Sequence, residues 1–459
     1  MTPSVQTAPP ERRRRPDLSA AALAAATPDS RDRYLDLLRV GSIAAVVLGH
    51  WLMLTVTVSG GHVRAGNVLS AVPAAQLLTW AFQVMPIFFL VGGAAHAVAL
   101  GSLRRRGGRY PEFVAARLRR LLAPTAVFLA VWTAIAVGTE ASGVQKGGGM
   151  AALMTHTVVQ PLWFLGVYLG IVGLAPVMHA AHRRWGVAVP VALVLAAAAV
   201  DAARLVGGVE MIGALNVALV WLAAHQLGFF YADGRLTRRV GAFLAGTGLA
   251  ATVLLTVVLH WYPISMVGLP GAPVSNMNPP TLALVAHGAW LTGLLVLAKG
   301  PVTRWLRRPR VWTSVVAANG VVMTVFLWHL TALFALAGGW VALGGPLPVP
   351  GSSSWWLLRP FWLGLLLVLL VPLVAAARRF ERPVIRRASQ RRARPTVLDA
   401  IGAAVGVGLA TVGLLIVPVT GLNGLLAGRT ANLIGMPVTA LGGLVALAVG
   451  WALVRAAQR

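Results

Sequence analysis

Cysteine is absent from the 459-residue chain, and charged residues are scarce. Without cysteine the chain can form neither a disulfide framework nor a thiolate metal site. Only 11% of the residues are charged, whereas a soluble protein of this length carries about a quarter. Basic residues outnumber acidic ones, with 39 Lys and Arg against 12 Asp and Glu. The resulting net charge of +27 would suit nucleic acid, but the basic residues lie in short segments between apolar runs, so we expect no nucleic-acid partner.

Apolar residues make up 58% of the chain and recur in runs of 18 or more. Runs of that length are typical of membrane-spanning helices, so the pattern predicts an all-α polytopic membrane protein. We place twelve spans, at 36–58, 72–100, 115–139, 159–180, 186–203, 211–232, 239–262, 281–299, 312–337, 355–377, 399–419 and 436–455.

The basic residues predict the orientation of these spans. With the N-terminus inside, 34 of the 39 Lys and Arg fall in cytoplasmic segments. So one-sided a distribution follows the positive-inside rule and places both termini in the cytoplasm. Arginine is strongly preferred over lysine, which indicates a GC-rich bacterial genome and hence a bacterial plasma membrane.

The segments outside the spans are short. Residues 1–30 are rich in Arg, Pro and Ala and are expected to form a disordered cytoplasmic tail. The outer loops 263–280 and 338–354 are rich in Pro, Gly and Ser, and either is a candidate lid. Because no loop is long enough for a folded domain, any chemistry must lie among the helices or at their ends.

The first span carries an unusual set of ionisable residues in the stretch DLLRVGSIAAVVLGHW, residues 36–51. Arg39 and His50 are eleven residues apart, which is close to three helical turns, so both lie on one stripe about 16 Å apart. Asp36 shares that face, three residues before Arg39. Ionisable groups are costly inside a bilayer, and they therefore indicate a functional site.

Further polar residues are predicted at matching depths. His329 and Trp163 fall in the outer half of their spans, near the depth of His50, whereas Arg117 and Arg120 lie on the cytoplasmic side with Arg39. Arginine binds phosphate through its planar fork, and neutral imidazole can take a proton from a hydroxyl. This combination suits acyl transfer from a thioester carried by a phosphorylated cofactor.

Simpler interpretations of the same residues stay open. Asp36 and Arg39 also fit an interfacial ion pair, and Arg117 and Arg120 fit topology signals. An intramembrane histidine can serve as a helix–helix hydrogen bond, and Trp163 can belong to an aromatic belt. Twelve spans with ionisable groups also suit a transporter, or an exporter of an envelope precursor, although no repeat between the halves is evident.

Five segments in order carry a resemblance to a known family. They are LDLLRVGSIAAVVLGH (35–50), MPIFFLVGG (85–93), ARLRRLLAP (116–124), WFLGVYLGIVGLAPV (163–177) and FLWH (326–329). Together they resemble the integral membrane acyltransferase 3 family, whose opening motif is an Arg, ten residues and a His. The chain departs from the family pattern at Leu37, where the family has Gly, and at Val322, Met323 and Phe326, where it has Ser, Tyr and Tyr.

The resemblance implies an acyltransferase domain over residues 31–380 with ten helices, followed by a basic cytoplasmic linker at 381–398. Two additional transmembrane helices at 399–459 lie outside that core. It implies an enzyme that moves an acyl group, usually acetyl, from acyl-CoA to a hydroxyl of an envelope sugar, glycolipid or related acceptor. Acyl-CoA, a carbohydrate or lipid-linked acceptor and membrane lipid are the expected partners, with no permanently bound cofactor and no metal.

Roles for individual residues also follow from the resemblance. Arg39, Arg117 and Arg120 would bind the donor phosphates. His50 would act as general base, and Asp36 would orient Arg39. Trp163 and His329 would line the acceptor side of the site.

Overall fold

The computed structural model of the protein describes residues 19–59, 62–145, 149–381 and 396–458. The expected all-α polytopic membrane fold is confirmed. Within the described ranges, 11 helices are long and apolar enough to cross a membrane. The twelfth predicted span is also helical, but at 17 residues (Ala440–Ala456) it is shorter than the others.

The elements follow one another in a simple up-and-down order. The α-helices are α1 (Ala20–Ala25), α2 (Arg33–Met53), α3 (Val68–Ala71), α4 (Thr79–Phe82), α5 (Met85–Arg105), α6 (Tyr110–Ala141), α7 (Met150–Thr157), α8 (Leu162–Trp185), α9 (Ala188–Leu205), α10 (Ala214–Ala232), α11 (Arg238–Val253), α12 (Leu282–Leu306), α13 (Pro309–Asn319), α14 (Val322–Ala342), α15 (Ser353–Phe380), α16 (Val397–Thr420) and α17 (Ala440–Ala456). Two antiparallel hairpins join β1 (Leu54–Ser59) to β2 (His62–Asn67) and β3 (Thr430–Leu433) to β4 (Met436–Thr439).

The helices alternate in direction, so the two ends of the bundle differ in composition. One end, which we call the arginine-rich face, holds the start of α2 and the connections 104–109, 183–187, 233–239 and 304–310. The other end, the opposite face, holds both hairpins, the segment 259–281 and the segment 343–352.

Two predicted spans end or break earlier than expected. The first, 36–58, stops as a helix at Met53, because the following LTVTVS contains four consecutive β-branched residues and pairs as β1 with β2. The ninth, 312–337, is two helices, α13 and α14, separated at Gly320 and Val321. An apolar run does not reveal such a break, since hydropathy persists through it.

The second predicted span, 72–100, is also discontinuous. A 3-10 turn at Pro73–Leu78 and the short helix α4 precede the long helix α5, and the chain changes direction at Gln83 and Val84. Pro86 explains the new start, because proline fits the first turn of a helix and disfavours helical geometry in the residues before it.

The prediction of a disordered tail over residues 1–30 is wrong for six of them, Ala20–Ala25. Residues Ala20–Ala25 form α1, which packs beside α13, and the indole N–H of Trp312 donates to the Thr27 hydroxyl at 3.1 Å. Residues 1–18 and most of the predicted linker, 382–395, lie outside the described residues.

Segment 259–281 is held to the bundle by one buried carboxylate. Asp201 accepts hydrogen bonds from the Tyr262 hydroxyl at 2.9 Å, the Asn216 amide at 2.9 Å and the Leu282 backbone N–H at 2.7 Å. Burial, and then the neighbouring Asp201 charge, raise the pKa of Tyr262, which keeps its hydroxyl a neutral donor. The segment is therefore anchored where it enters α12.

The bundle depends on close helix crossings at glycine. A Cβ at Gly93 in α5 would overlap the carbonyl oxygen of His225 in α10, and one at Gly228 would overlap the Leu90 carbonyl. Small residues of this kind let membrane helices approach until their backbones touch. This crossing places α5 and α10 in direct contact at the centre of the molecule.

We predict that Gly93→Ala lowers the free energy of unfolding by about 1–3 kcal/mol, because α5 and α10 must separate to admit the methyl group. The matched control is Gly364→Ala in α15, where an added Cβ has no neighbour within 4 Å. There the substitution is expected to leave the melting temperature unchanged or raise it slightly. Thermal unfolding of both purified variants checks this, and equal melting temperatures would contradict the proposed crossing.

Candidate active site

Two imidazoles from α2 and α14 meet near the opposite face. His50 Nδ1 lies 2.7 Å from His329 Nε2, with ring centroids 5.0 Å apart and ring planes inclined by 10°. These values mean that the rings join edge to edge in nearly one plane, which is the geometry of a direct hydrogen bond. The indole N–H of Trp51 donates to the His329 carbonyl at 3.0 Å and fixes the same pair of helices.

The hydrogen-bond partners assign the ring tautomers. His329 Nδ1 lies 2.6 Å from the Phe326 carbonyl oxygen, which can only accept, so Nδ1 carries the proton. In the neutral ring His329 Nε2 is then an acceptor, and His50 must donate from its Nδ1. This series of hydrogen bonds ends at His50 Nε2, which keeps a free lone pair.

His50 lines a pocket of about 120 Å³, which His329 does not line. Trp163 and Phe164 from α8 form one wall, and residues 45–53 of α2 form another. Apart from His50, the polar lining residues include Gln83 and Thr79, and the remainder is largely apolar. The His50 side chain therefore borders a pocket whose walls are mostly apolar.

Segment 259–281 closes part of this pocket through Val267 and Met277. The Gln83 amide donates to the Met266 carbonyl at 2.9 Å, and the Met266 N–H donates to the Thr79 hydroxyl at 2.9 Å. The loop predicted as a lid at 263–280 thus contributes directly to the pocket wall.

At the arginine-rich face, Asp36 contacts Arg39 as the spacing predicted. Its carboxylate accepts from Arg39 Nη1 at 3.1 Å and also binds Arg31, through Nε at 2.6 Å and Nη2 at 3.0 Å. The hydrogen bond to Asp36 raises the pKa of Arg31. Sequence reasoning missed Arg31, because five residues separate it from Asp36 and it precedes the helix.

Arg117 lies near the start of α6, at the arginine-rich face. Its guanidinium stacks 3.7 Å over the Phe113 ring and donates to the Phe113 carbonyl at 3.0 Å. Arg120, one turn further along, is exposed. The Phe113 ring in turn lies 5.6 Å from the His96 ring, which places Arg117 beside a polar cluster of His96, His225 and Tyr168.

That cluster was not singled out from the sequence as a site. His96 Nδ1 lies 2.9 Å from His225 Nε2, and the Tyr168 hydroxyl lies 3.4 Å from His96 Nε2. Gly92 makes room for it, since a Cβ there would stand 2.9 Å from the Tyr168 ring. The available signal was Tyr168 itself, a phenol five residues after Trp163 in an otherwise apolar span.

Aromatic side chains separate the two ends of the site. The Phe164 ring lies 4.7 Å from Phe88, 5.6 Å from Phe326 and 6.2 Å from Tyr168, measured between centroids. Within the described residues, the pocket at His50 includes none of the three predicted donor arginines. The pocket therefore does not extend to these arginines, and the aromatic cluster adjoins its wall at Phe164.

A comparison with known families identifies the chain. The acyltransferase 3 model, described as an acyltransferase domain, matches residues 32–379. The protein belongs to the acyltransferase 3 family. No curated protein and no solved structure matches it.

Membership confirms the resemblance drawn from the five segments and makes the protein a membrane acyltransferase. This acyltransferase brings four of the segments together at the pocket, from α2, α5, α8 and α14. The segment 116–124 contributes Arg117 and Arg120 at the arginine-rich face instead. The two additional helices, α16 and α17, lie beyond the matched residues.

We predict that His50 and His329 are both protonated on Nδ1 and unprotonated on Nε2. Solid-state NMR of nitrogen-15 histidine-labelled protein distinguishes the tautomers, and His50→Gln and His329→Gln assign the two signals among the 10 histidines. In His329→Leu, which removes the acceptor, the His50 signal should shift. Nε2-protonated rings in the unchanged protein would contradict the hydrogen-bond assignment.

Proposed function

We propose that the protein is an acyl-CoA-dependent O-acyltransferase of the bacterial plasma membrane, with His50 as general base. The observation that carries the proposal is the hydrogen-bond chain from Phe326 through His329, which leaves His50 Nε2 free at the edge of an apolar pocket. Family membership supplies the acyltransferase activity, and the donor and acceptor are inferred from the residues present.

In the proposed reaction, His50 Nε2 takes the proton of an acceptor hydroxyl while that oxygen attacks the thioester carbonyl. The carbon–sulfur bond then breaks, and the departing thiolate recovers the proton from the imidazolium. The ester and the free thiol are the products, so protons and atoms balance. His329 Nε2 accepts the hydrogen bond from His50 Nδ1 throughout, so His329 acts by positioning His50. This role differs from the one suggested by the sequence, in which His329 lines the part of the site that holds the acceptor substrate.

The donor phosphates are assigned to Arg39 and Arg117, with Arg120 at the entrance. Asp36 occupies one edge of the Arg39 guanidinium and orients it, which leaves the remaining donors for phosphate. Arg39 is about 16 Å from His50 along α2, a distance comparable to an extended pantetheine arm. The arm would reach the pocket once Phe164 and its neighbours change rotamer.

The orientation follows from charge. The arginine-rich face is assigned to the cytoplasm by the positive-inside rule, which puts both termini inside and acyl-CoA on its native side. His50 then serves an acceptor at the outer half of the membrane, for which Trp163 provides an aromatic wall. We propose a hydroxyl of a cell-envelope sugar, glycolipid or related molecule, with acetyl as the transferred group.

We predict that His50→Ala lowers acyl transfer at least 10²-fold, because a positioned general base contributes about 10²–10⁴-fold. Acetyl transfer from labelled acetyl-CoA to an envelope extract measures it. His260→Ala, at an exposed position on segment 259–281, is the control and should retain activity. Full activity of His50→Ala would remove His50 from the mechanism, and donor-independent solute uptake in liposomes would favour a transporter.

We predict that Arg39→Ala raises the KM for acyl-CoA about 10-fold or more with a smaller effect on kcat, since it removes a phosphate contact rather than the base. Arg39→Lys should give an intermediate KM, because the lysine ammonium keeps the positive charge but lacks the planar pair of N–H donors of the guanidinium. The exposed Arg119, in the same basic segment as Arg117, supplies the control Arg119→Ala. Equal KM values for the Arg39 and Arg119 variants would contradict the assignment.

A further inference from the structure

A second pocket lies on the opposite face, beside the one at His50 but lined by different residues. Its walls come from β1, from α14, from residues 346–348 and from the first turns of α15. Its volume is about 70 Å³. Trp340, Trp355 and Trp362 line it together with one cation, Arg359, and we call it the Arg359 pocket.

The Arg359 guanidinium packs against aromatic rings, and the side chain as a whole is half-buried. It lies 3.7 Å over the Trp355 ring and 5.8 Å from the Trp362 ring, and its Nε–H is buried with no hydrogen-bond partner. Among the residues that the structure describes, no carboxylate lies within ion-pair distance of it. A half-buried cation with one buried, unpaired N–H group favours an anion as partner, because an unsatisfied polar group away from water is costly.

The geometry of the stacked guanidinium selects the kind of anion. Trp355 covers its face, so the free N–H groups point along its edge, where they match two oxygens of a phosphate. The other lining groups are mainly apolar and aromatic, and they supply few further donors for a free sugar or nucleotide. The pocket therefore fits a phosphate attached to an apolar body.

The surface beside the pocket identifies that body. On the first turns of α15, Leu358 and Phe361 form the rim of the pocket and are 46% and 57% exposed, and the neighbouring Leu357 is 79% exposed. Since α15 is long and apolar enough to span the membrane, these side chains face lipid chains. A phosphate held by Arg359 would thus have its acyl chains lying along α15.

We propose that the Arg359 pocket binds the phosphate of an anionic membrane lipid. The site adjoins the candidate active site through two elements, because β1 begins four residues after His50 and α14 carries both His329 and Trp340. A lipid bound in the pocket would stabilise the positions of β1 and α14 at the opposite face of the bundle. The inference does not depend on the donor or acceptor proposed above.

The test is native mass spectrometry of the delipidated full-length protein in detergent, titrated with phosphatidylglycerol. Arg359→Gln should weaken binding at least 10-fold, and Arg359→Lys should fall between it and the unchanged protein. The control is Arg64→Gln, which removes an exposed arginine of β2 on the same face and should bind as the unchanged protein does. Equal binding by the Arg359→Gln and Arg64→Gln variants would overturn the proposal.

A second set of titrations uses only the unchanged protein, so it stands even if the Arg359 variants fold poorly. Phosphatidylglycerol should bind more tightly than diacylglycerol, which lacks the phosphate, and than zwitterionic phosphatidylcholine. Inorganic phosphate at millimolar concentration should not displace it. Equal binding of diacylglycerol or phosphatidylcholine, or displacement by inorganic phosphate, would show that an anionic lipid is not what the pocket recognises.

Discussion

The hydrogen bond between His50 and His329 is the constraint on which the rest of the site depends. It joins α2 to α14, and the Trp51 indole reinforces the junction by donating to the His329 carbonyl. At the other end of α2, the Asn319 amide donates to the Asp36 carbonyl at 3.3 Å, where the chain passes from α13 towards α14. The helix that carries both Arg39 and His50 is thus held at each end by the same stretch of chain.

The membrane setting separates the two kinds of chemistry. Cations gather at the arginine-rich face, where they can remain partly hydrated, whereas the imidazole pair lies among apolar walls. The aromatic rings between them keep the cationic end apart from the pocket at His50. Phe164 belongs both to the pocket wall and to this group of aromatic rings. A change of its rotamer would therefore open a passage between the two ends of the site and change the shape of the pocket at the same time.

Hydropathy and helical spacing predicted much of this structure, and their failures have physical reasons. The period of the helix placed Asp36 and Arg39 in contact, and the apolar runs predicted the bundle. The strand at 54–59 was missed because the mean hydropathy of its valines and threonines is similar to that of a helix end. Hydropathy alone therefore does not distinguish this strand from the end of the preceding helix. The contact between His329 and His50 could not be predicted either. It depends on how each helix is rotated about its own axis, and the spacing of residues within one helix carries no information on that rotation.

The two helices beyond the family domain, α16 and α17, form one packed structural unit with it. Gly166, Gly170 and Gly173 on α8 would each bring an added Cβ within 3.3 Å of a side chain of α16. The Gln160 amide donates to the Pro418 carbonyl at 2.6 Å, and the Leu422 N–H donates to the Thr155 carbonyl at 2.9 Å. These contacts fix the corner between α7 and α8. Since α8 carries Trp163 and Phe164 in its first turn, α16 sets one wall of the pocket at His50 without touching it.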